Sequence, residues 1–142
     1  MTSMINAFIK RWFPLILWLG VIFFFSANPD PYRFLPTAWL KPFNVSDKSI
    51  SNLDEVVGIL VHLSEYFILG FLLFRTWTWD RSIKQNDFTW VLVFVFLFAL
   101  SDEIHQVFVP GRAFQFLDLG LDMIGATLGA LCFRRRTRVH SR

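Results

Sequence analysis

The sequence predicts an all-α integral membrane protein, a single domain over residues 1–142 built as a bundle of four transmembrane helices. Three observations carry that prediction. The chain has 142 residues, 54% of them hydrophobic, with 18 phenylalanines, which is more apolar surface than one small water-soluble core can hide. Four stretches reach the roughly 20 mainly apolar residues that a helix needs to cross a hydrocarbon layer of about 30 Å. The lysines and arginines also fall unevenly among the connections, as they do when cytoplasmic segments carry the excess.

The first helix is expected at about 8–27, around FPLILWLGVIFFFSA. Lys10 and Arg11 resemble the basic start of a signal peptide, but no small-x-small cleavage site follows, and Phe25 stands where a small residue is required. The segment is expected to stay as an anchor. The connection after it, NPDPYRFLPTAWLKPFNVSDKSISNLDE, holds four prolines that forbid a continuous helix. Within it, LPTAWLKPF is apolar enough to rest at the bilayer interface with Trp39 as an anchor. Asn52, with Glu55 three residues on, is expected to cap the second helix, which is placed at about 56–75 around VVGILVHLSEYFILGFLLF.

A short connection with interfacial tryptophans, TWTWDRSIKQND, leads to the third helix at about 88–109, around FTWVLVFVFLFAL. Pro110 and Gly111 end it in a tight turn. The fourth helix is expected at about 116–133, around LDLGLDMIGATLGALCF. Cys132, alone in the chain, allows no internal disulfide and is expected only to pack.

With the N-terminus inside, the inner side holds Lys10, Arg11, Arg75, Arg81, Lys84, Arg134, Arg135, Arg136, Arg138 and Arg142, and the outer side only Arg33, Lys41, Lys48 and Arg112. Both termini are therefore expected in the cytoplasm. The tail RRRTRVHSR could be read as a nucleic-acid patch, but directly after a spanning helix it is a topology signal that also touches anionic lipid. A membrane lipid, and no nucleic acid, is the expected partner.

That topology brings the polar residues to one depth. His62 and Glu65, three apart with Tyr66 beside them, share a face in the outer half of the second helix. Asp102, Glu103, His105 and Gln106 lie near the outer end of the third, Arg112 in the turn, and Asp118 and Asp122 in the first two turns of the fourth. Asp118, Asp122, Gly125 and Gly129 form one stripe, so the acids run on into a small-residue face that admits a close neighbouring helix.

Ionisable groups are expensive in lipid, so they face the bundle interior or a wet cavity and mark functional sites. Five acids face one arginine and two histidines, and the excess negative charge demands protonation, water or a bound cation. Four readings stay open. A divalent metal, zinc or manganese, would be held by His62, Glu65, Glu103 and His105. Alternatively, His62 is a general base oriented by Glu65, while Arg112 holds an anionic head group. The carboxylates can instead share protons and couple small-solute transport to a gradient. The fourth reading is a satisfied structural network, with Arg112 paired to Asp118 or Glu103 and His62 bonded to Glu65, in a protein that is non-catalytic or binds a partner. No Ser or Cys nucleophile motif, glycine-rich phosphate loop or haem signature is present.

HLSEYFILGFLLFR, SDEIHQVFVPGR and DLGLDMIGATLGA, together with VIFFFSANP in the first helix, resemble the VanZ-like family, small bacterial membrane proteins named for a teicoplanin-resistance accessory protein. The resemblance spans residues 20 to 130. It implies functional roles for His62, Glu65, Tyr66, Asp102, Glu103, Gln106, Arg112, Asp118 and Asp122, with Gly125 and Gly129 behind them. It also implies a multi-pass protein of the bacterial cytoplasmic membrane. The expected pocket opens outward and binds or acts on a cell-envelope lipid or a lipid-linked cell-wall precursor, with a link to glycopeptide susceptibility. Many members carry a basic residue about three positions before the histidine, where this chain has Gly58 and Ile59.

Overall fold

A computed structural model describes residues 2–29 and 47–140, with side chains described over 4–29 and 55–137. Four helices make up the described part: α1 (Thr2–Ser26), α2 (Asp47–Trp77), α3 (Asp87–Gln106) and α4 (Phe116–His140). Each is long and apolar enough to cross a membrane, over Met4–Ser26, Glu55–Trp77, Asp87–Gln106 and Phe116–Thr137. The all-helical fold and its four spans thus agree with the sequence. The interfacial segment with Trp39 lies outside the described residues.

Two helices outrun their apolar windows. α2 starts at Asp47, so Asn52 is an interior helical residue and not the expected cap. With a rise of about 1.5 Å per residue, α2 is roughly 46 Å long, well beyond the hydrocarbon thickness. α4 continues through the arginines to His140. α3 stops earlier than expected, at Gln106, and the chain turns through Val109 N–H to Gln106 O and Arg112 N–H to Val109 O bonds. Gly111 takes a φ of 81° there, a conformation that suits glycine.

The tightest pairing is α2 with α4, which pack more extensively than any other pair. Glycine makes this possible. A Cβ on Gly70 would meet Ala126 O, one on Gly125 would meet Leu63 O, and one on Gly129 would meet Phe67 O. Such close backbone approach through small residues is how helices associate in lipid, where apolar contact alone gives no preference for protein over acyl chain. α1 leans on α2 and, more lightly, on α3. It is tied at one end by Arg11 Nε to Thr76 O and Thr76 Oγ1 to Arg11 O, both 3.1 Å. Midway, Trp18 Nε1 donates to the Glu65 carbonyl at 2.9 Å.

The buried interior runs from Ile22, Tyr66, Leu69, Val95, Ala99 and Ala126 to Phe74, Val91 and Ala130. Phe8, Phe13, Ile16, Phe24, Trp90, Leu97, Ile124 and Leu128 stay exposed, as the lipid-facing surface of a spanning bundle does. Cys132, expected to pack, is also exposed.

The α2–α3 connection is organised by one carboxylate. Asp87 accepts from Arg81 Nη2 at 2.8 Å and Nη1 at 2.9 Å, from Lys84 N at 2.6 Å and from Trp77 Nε1 at 3.0 Å. Its hydrogen bonds hold the Arg81 guanidinium above its ordinary pKa, so that side chain stays charged at any physiological pH.

Candidate functional site

The α2–α4 seam decides which polar groups meet. Because Gly125 lets α4 lie against the backbone at Leu63, the side chain one residue earlier on α2, His62, reaches the acids one and two turns earlier on α4. His62 Nδ1 lies 2.9 Å from Asp122 Oδ1, and its Nε2 lies 3.7 Å from Asp118 Oδ2. Asp118 and Asp122, one helical turn apart, thus straddle a single imidazole. His62 and Asp122 are buried. His62 is therefore oriented by Asp122 across the seam. The expected partner, Glu65, sits on the same helix and has no hydrogen bond to the ring among the described residues.

α3 adds Asp102, Glu103 and Gln106, all buried. Gln106 Nε2 donates to Asp102 Oδ2 at a long 3.4 Å. Glu103 does something the spacing did not reveal: its Oε2 accepts from the backbone N–H of Gln115 at 2.8 Å, immediately before α4 begins. A helix start presents unsatisfied N–H groups and the positive end of the dipole, so a carboxylate from a neighbouring helix is stabilised there. Glu103 thereby fixes the position from which Asp118 and Asp122 project.

Several polar atoms in this region are buried without a hydrogen-bond partner among the described residues: Glu103 Oε1, Asp122 Oδ2, Tyr66 Oη, Arg112 Nε, His105 Nε2 and Ser26 Oγ. The Tyr66 phenol lies one turn along α2 from His62, within electrostatic range of Asp122, Asp102, Glu65 and Glu103. Ser26, the last residue of α1, sits beside Asp102 without full hydrogen-bond geometry. The FFFSANP segment contained it, but one hydroxyl in an apolar run gave no signal of its own. Glu65 is half-buried, its carboxylate in range of His62, Asp102, Asp122 and Arg112.

Arg112 departs from expectation. It forms no ion pair with Asp118 or Glu103 among the described residues, because Glu103 is turned to the Gln115 amide and Asp118 to His62. It stays half-buried in the turn, in range of Glu65 and Asp102.

The metal set His62, Glu65, Glu103 and His105 is not brought together. His105 turns away and stacks on Phe23, ring centroids 4.8 Å apart and planes 26° apart. One oxygen of Glu103 is committed to α4, and His62 Nδ1 to Asp122. Among the described residues no three His, Cys, Asp or Glu side chains form a group able to hold a metal.

The chemistry left is that of a histidine held between carboxylates. With Asp122 accepting the Nδ1 proton, Nε2 is the free nitrogen, able to take or give a proton beside Asp118. Around it stand carboxylates that can share protons, a phenol and a guanidinium.

Four helices long and apolar enough to span a membrane define a small multi-pass helical membrane protein, with this buried polar cluster toward one end of the bundle. The chain matches the VanZ/LLP1 family over residues 11–137, and it belongs to that family. No curated protein matches it closely, and neither does any solved structure.

Proposed function

We propose that this protein resides in the bacterial cytoplasmic membrane with both termini inside, and that the His62 cluster opens outward to bind or act on an envelope lipid or a lipid-linked cell-wall precursor. The observation that carries the proposal is the His62 imidazole between Asp118 and Asp122, 3.7 and 2.9 Å away, with the Arg112 guanidinium in no ion pair among the described residues. The first arrangement moves a proton; the second recognises an anionic head group such as a phosphate. The excess of lysine and arginine at the opposite end supports the orientation. His62, Glu65, Asp102, Glu103, Gln106, Arg112, Asp118 and Asp122 are the residues assigned to this site. A shift in teicoplanin susceptibility is the cellular readout proposed for it.

The experiment has two arms. In a Cys132→Ser background, single cysteines at positions 62, 103 and 118 are labelled with a membrane-impermeant maleimide. Reaction from outside is expected; reaction only from the cytoplasm overturns the orientation. In cells, His62→Ala, Glu103→Gln and Arg112→Ala are expected to abolish the susceptibility phenotype with protein abundance near wild type. Loss of abundance in all three would make the cluster a structural network.

A further inference from the structure

The opposite end of the bundle holds a second site, whose argument is independent of the reading of the His62 end. Roughly 20 Å along α2 from His62, a cavity of ≈ 820 Å³ lies between the end of α2, the α2–α3 connection and α4. Its charged lining is Arg75, Arg81, Lys84 and Arg134 against the single acid Asp80. Arg81 is already neutralised by Asp87 and serves as a rigid wall. The other cations are not paired with acids among the described residues.

Arg75 is held in place from two sides: its guanidinium carbon stands 4.3 Å over the Trp79 ring, and Nη2 donates to the Lys10 carbonyl at 3.1 Å. Yet Nη1 is buried with no acceptor among the described residues, and so is Nε of Arg134. Two buried guanidinium N–H groups on adjacent helices, both lacking an acceptor at the wall of one cavity, are an unmet demand for anionic oxygen. Trp79 and Phe133 line the same cavity, and Phe133 lies near the end of an apolar span, the region where aromatic residues favour the membrane interface.

We infer that this cavity binds the phosphate of an anionic phospholipid such as phosphatidylglycerol, with Arg75 and Arg134 as its ligands, Lys84 above and Trp79 and Phe133 flanking the glycerol region. A lipid fits better than a soluble anion because Arg75 and Arg134 lie within three residues of the ends of the apolar spans Glu55–Trp77 and Phe116–Thr137 and the wall is partly aromatic. Basic pockets between spanning helices recognise head groups in this way.

The test uses the full chain purified in detergent. Native mass spectrometry with equal phosphatidylglycerol and phosphatidylcholine is expected to retain the anionic lipid about tenfold better. The double variant Arg75→Gln, Arg134→Gln should erase that preference. Because Arg75 also tethers Lys10, Arg134→Gln alone, whose side chain makes no hydrogen bond among the described residues, should reduce it with an unchanged melting temperature. Arg135→Gln removes the same charge one residue away from an exposed position outside the cavity and should keep the preference. Equal retention of both lipids, a preference that survives the double variant, or an equal loss in Arg135→Gln would each overturn the inference. So would millimolar inorganic phosphate raising the melting temperature as much as the lipid does, which would make the ligand a soluble anion.

Discussion

Asp87 and Asp122 are both buried carboxylates beside a cationic or ionisable partner, at opposite ends of the bundle, and the protein treats them differently. Asp87 fills both oxygens with the Arg81 fork, the Lys84 amide and the Trp77 indole. Asp122 gives one oxygen to His62 and leaves the other without a partner among the described residues, and Glu103 repeats the pattern with the Gln115 amide. Folded proteins rarely leave buried polar atoms unpaired, because each costs its full desolvation. A chain that satisfies Asp87 completely, yet leaves one oxygen each of Asp122 and Glu103 unpaired among the described residues, sets the second group apart, as the entry of a ligand, water or proton proposed for it requires.

The contrast depends on a seam both ends share, and breaking that seam has the largest expected effect. In Gly129→Leu the new side chain would run into the Phe67 carbonyl, and α2 and α4 would have to part. A loss of about 3 kcal/mol or more is expected from overpacking of this kind, seen as collapse of membrane-inserted protein and of the melting transition in detergent. A near-normal transition would mean that the backbones do not approach so closely.

Next in size come the two acids themselves, where opposite outcomes are expected. Asp87→Asn removes the anion from a fully bonded site and sets an amide N–H against donors, so the melting temperature should fall by several degrees while the susceptibility phenotype persists. Asp122→Asn keeps an acceptor for the His62 N–H and spares a buried charge, so stability should stay within about 1 kcal/mol of wild type. The phenotype should be lost, because His62 is no longer oriented by an anion. Were Asp87→Asn to silence the protein, or Asp122→Asn to unfold it with function intact, the distinction between the two ends would fail.

Much of this was legible in the sequence. Apolar windows located four spans, and depth along antiparallel helices was enough to bring His62, Asp102, Glu103 and Asp122 to one end. Window hydropathy could not show that α2 reaches back to Asp47 or α4 on to His140, because polar helical turns outside the bilayer carry no apolar signal. Pairing was hidden for a different reason. Spacing along one helix suggested His62 with Glu65, but side chains three apart lie side by side and point the same way. The true partner is chosen by how closely another backbone approaches, and here that is set by Gly125 and Gly129. For Glu103, the partner is a backbone amide at a helix start, which no side-chain pattern encodes.

The smallest expected change in stability is the sharpest probe of the unpaired atoms. Tyr66 is 1% exposed, and its ring packs in the interior with its centroid 6.4 Å from that of Phe98. Its hydroxyl has no hydrogen-bond partner among the described residues. Tyr66→Phe therefore deletes a buried polar group that contributes nothing to the folded network, and stability should be unchanged or higher by up to about 1 kcal/mol. If the hydroxyl serves a ligand or a water within the carboxylate cluster, the same substitution lowers function while the melting temperature holds. Loss of stability in Tyr66→Phe would place that hydroxyl in the structural class with Asp87, and full function at unchanged stability would remove it from the site.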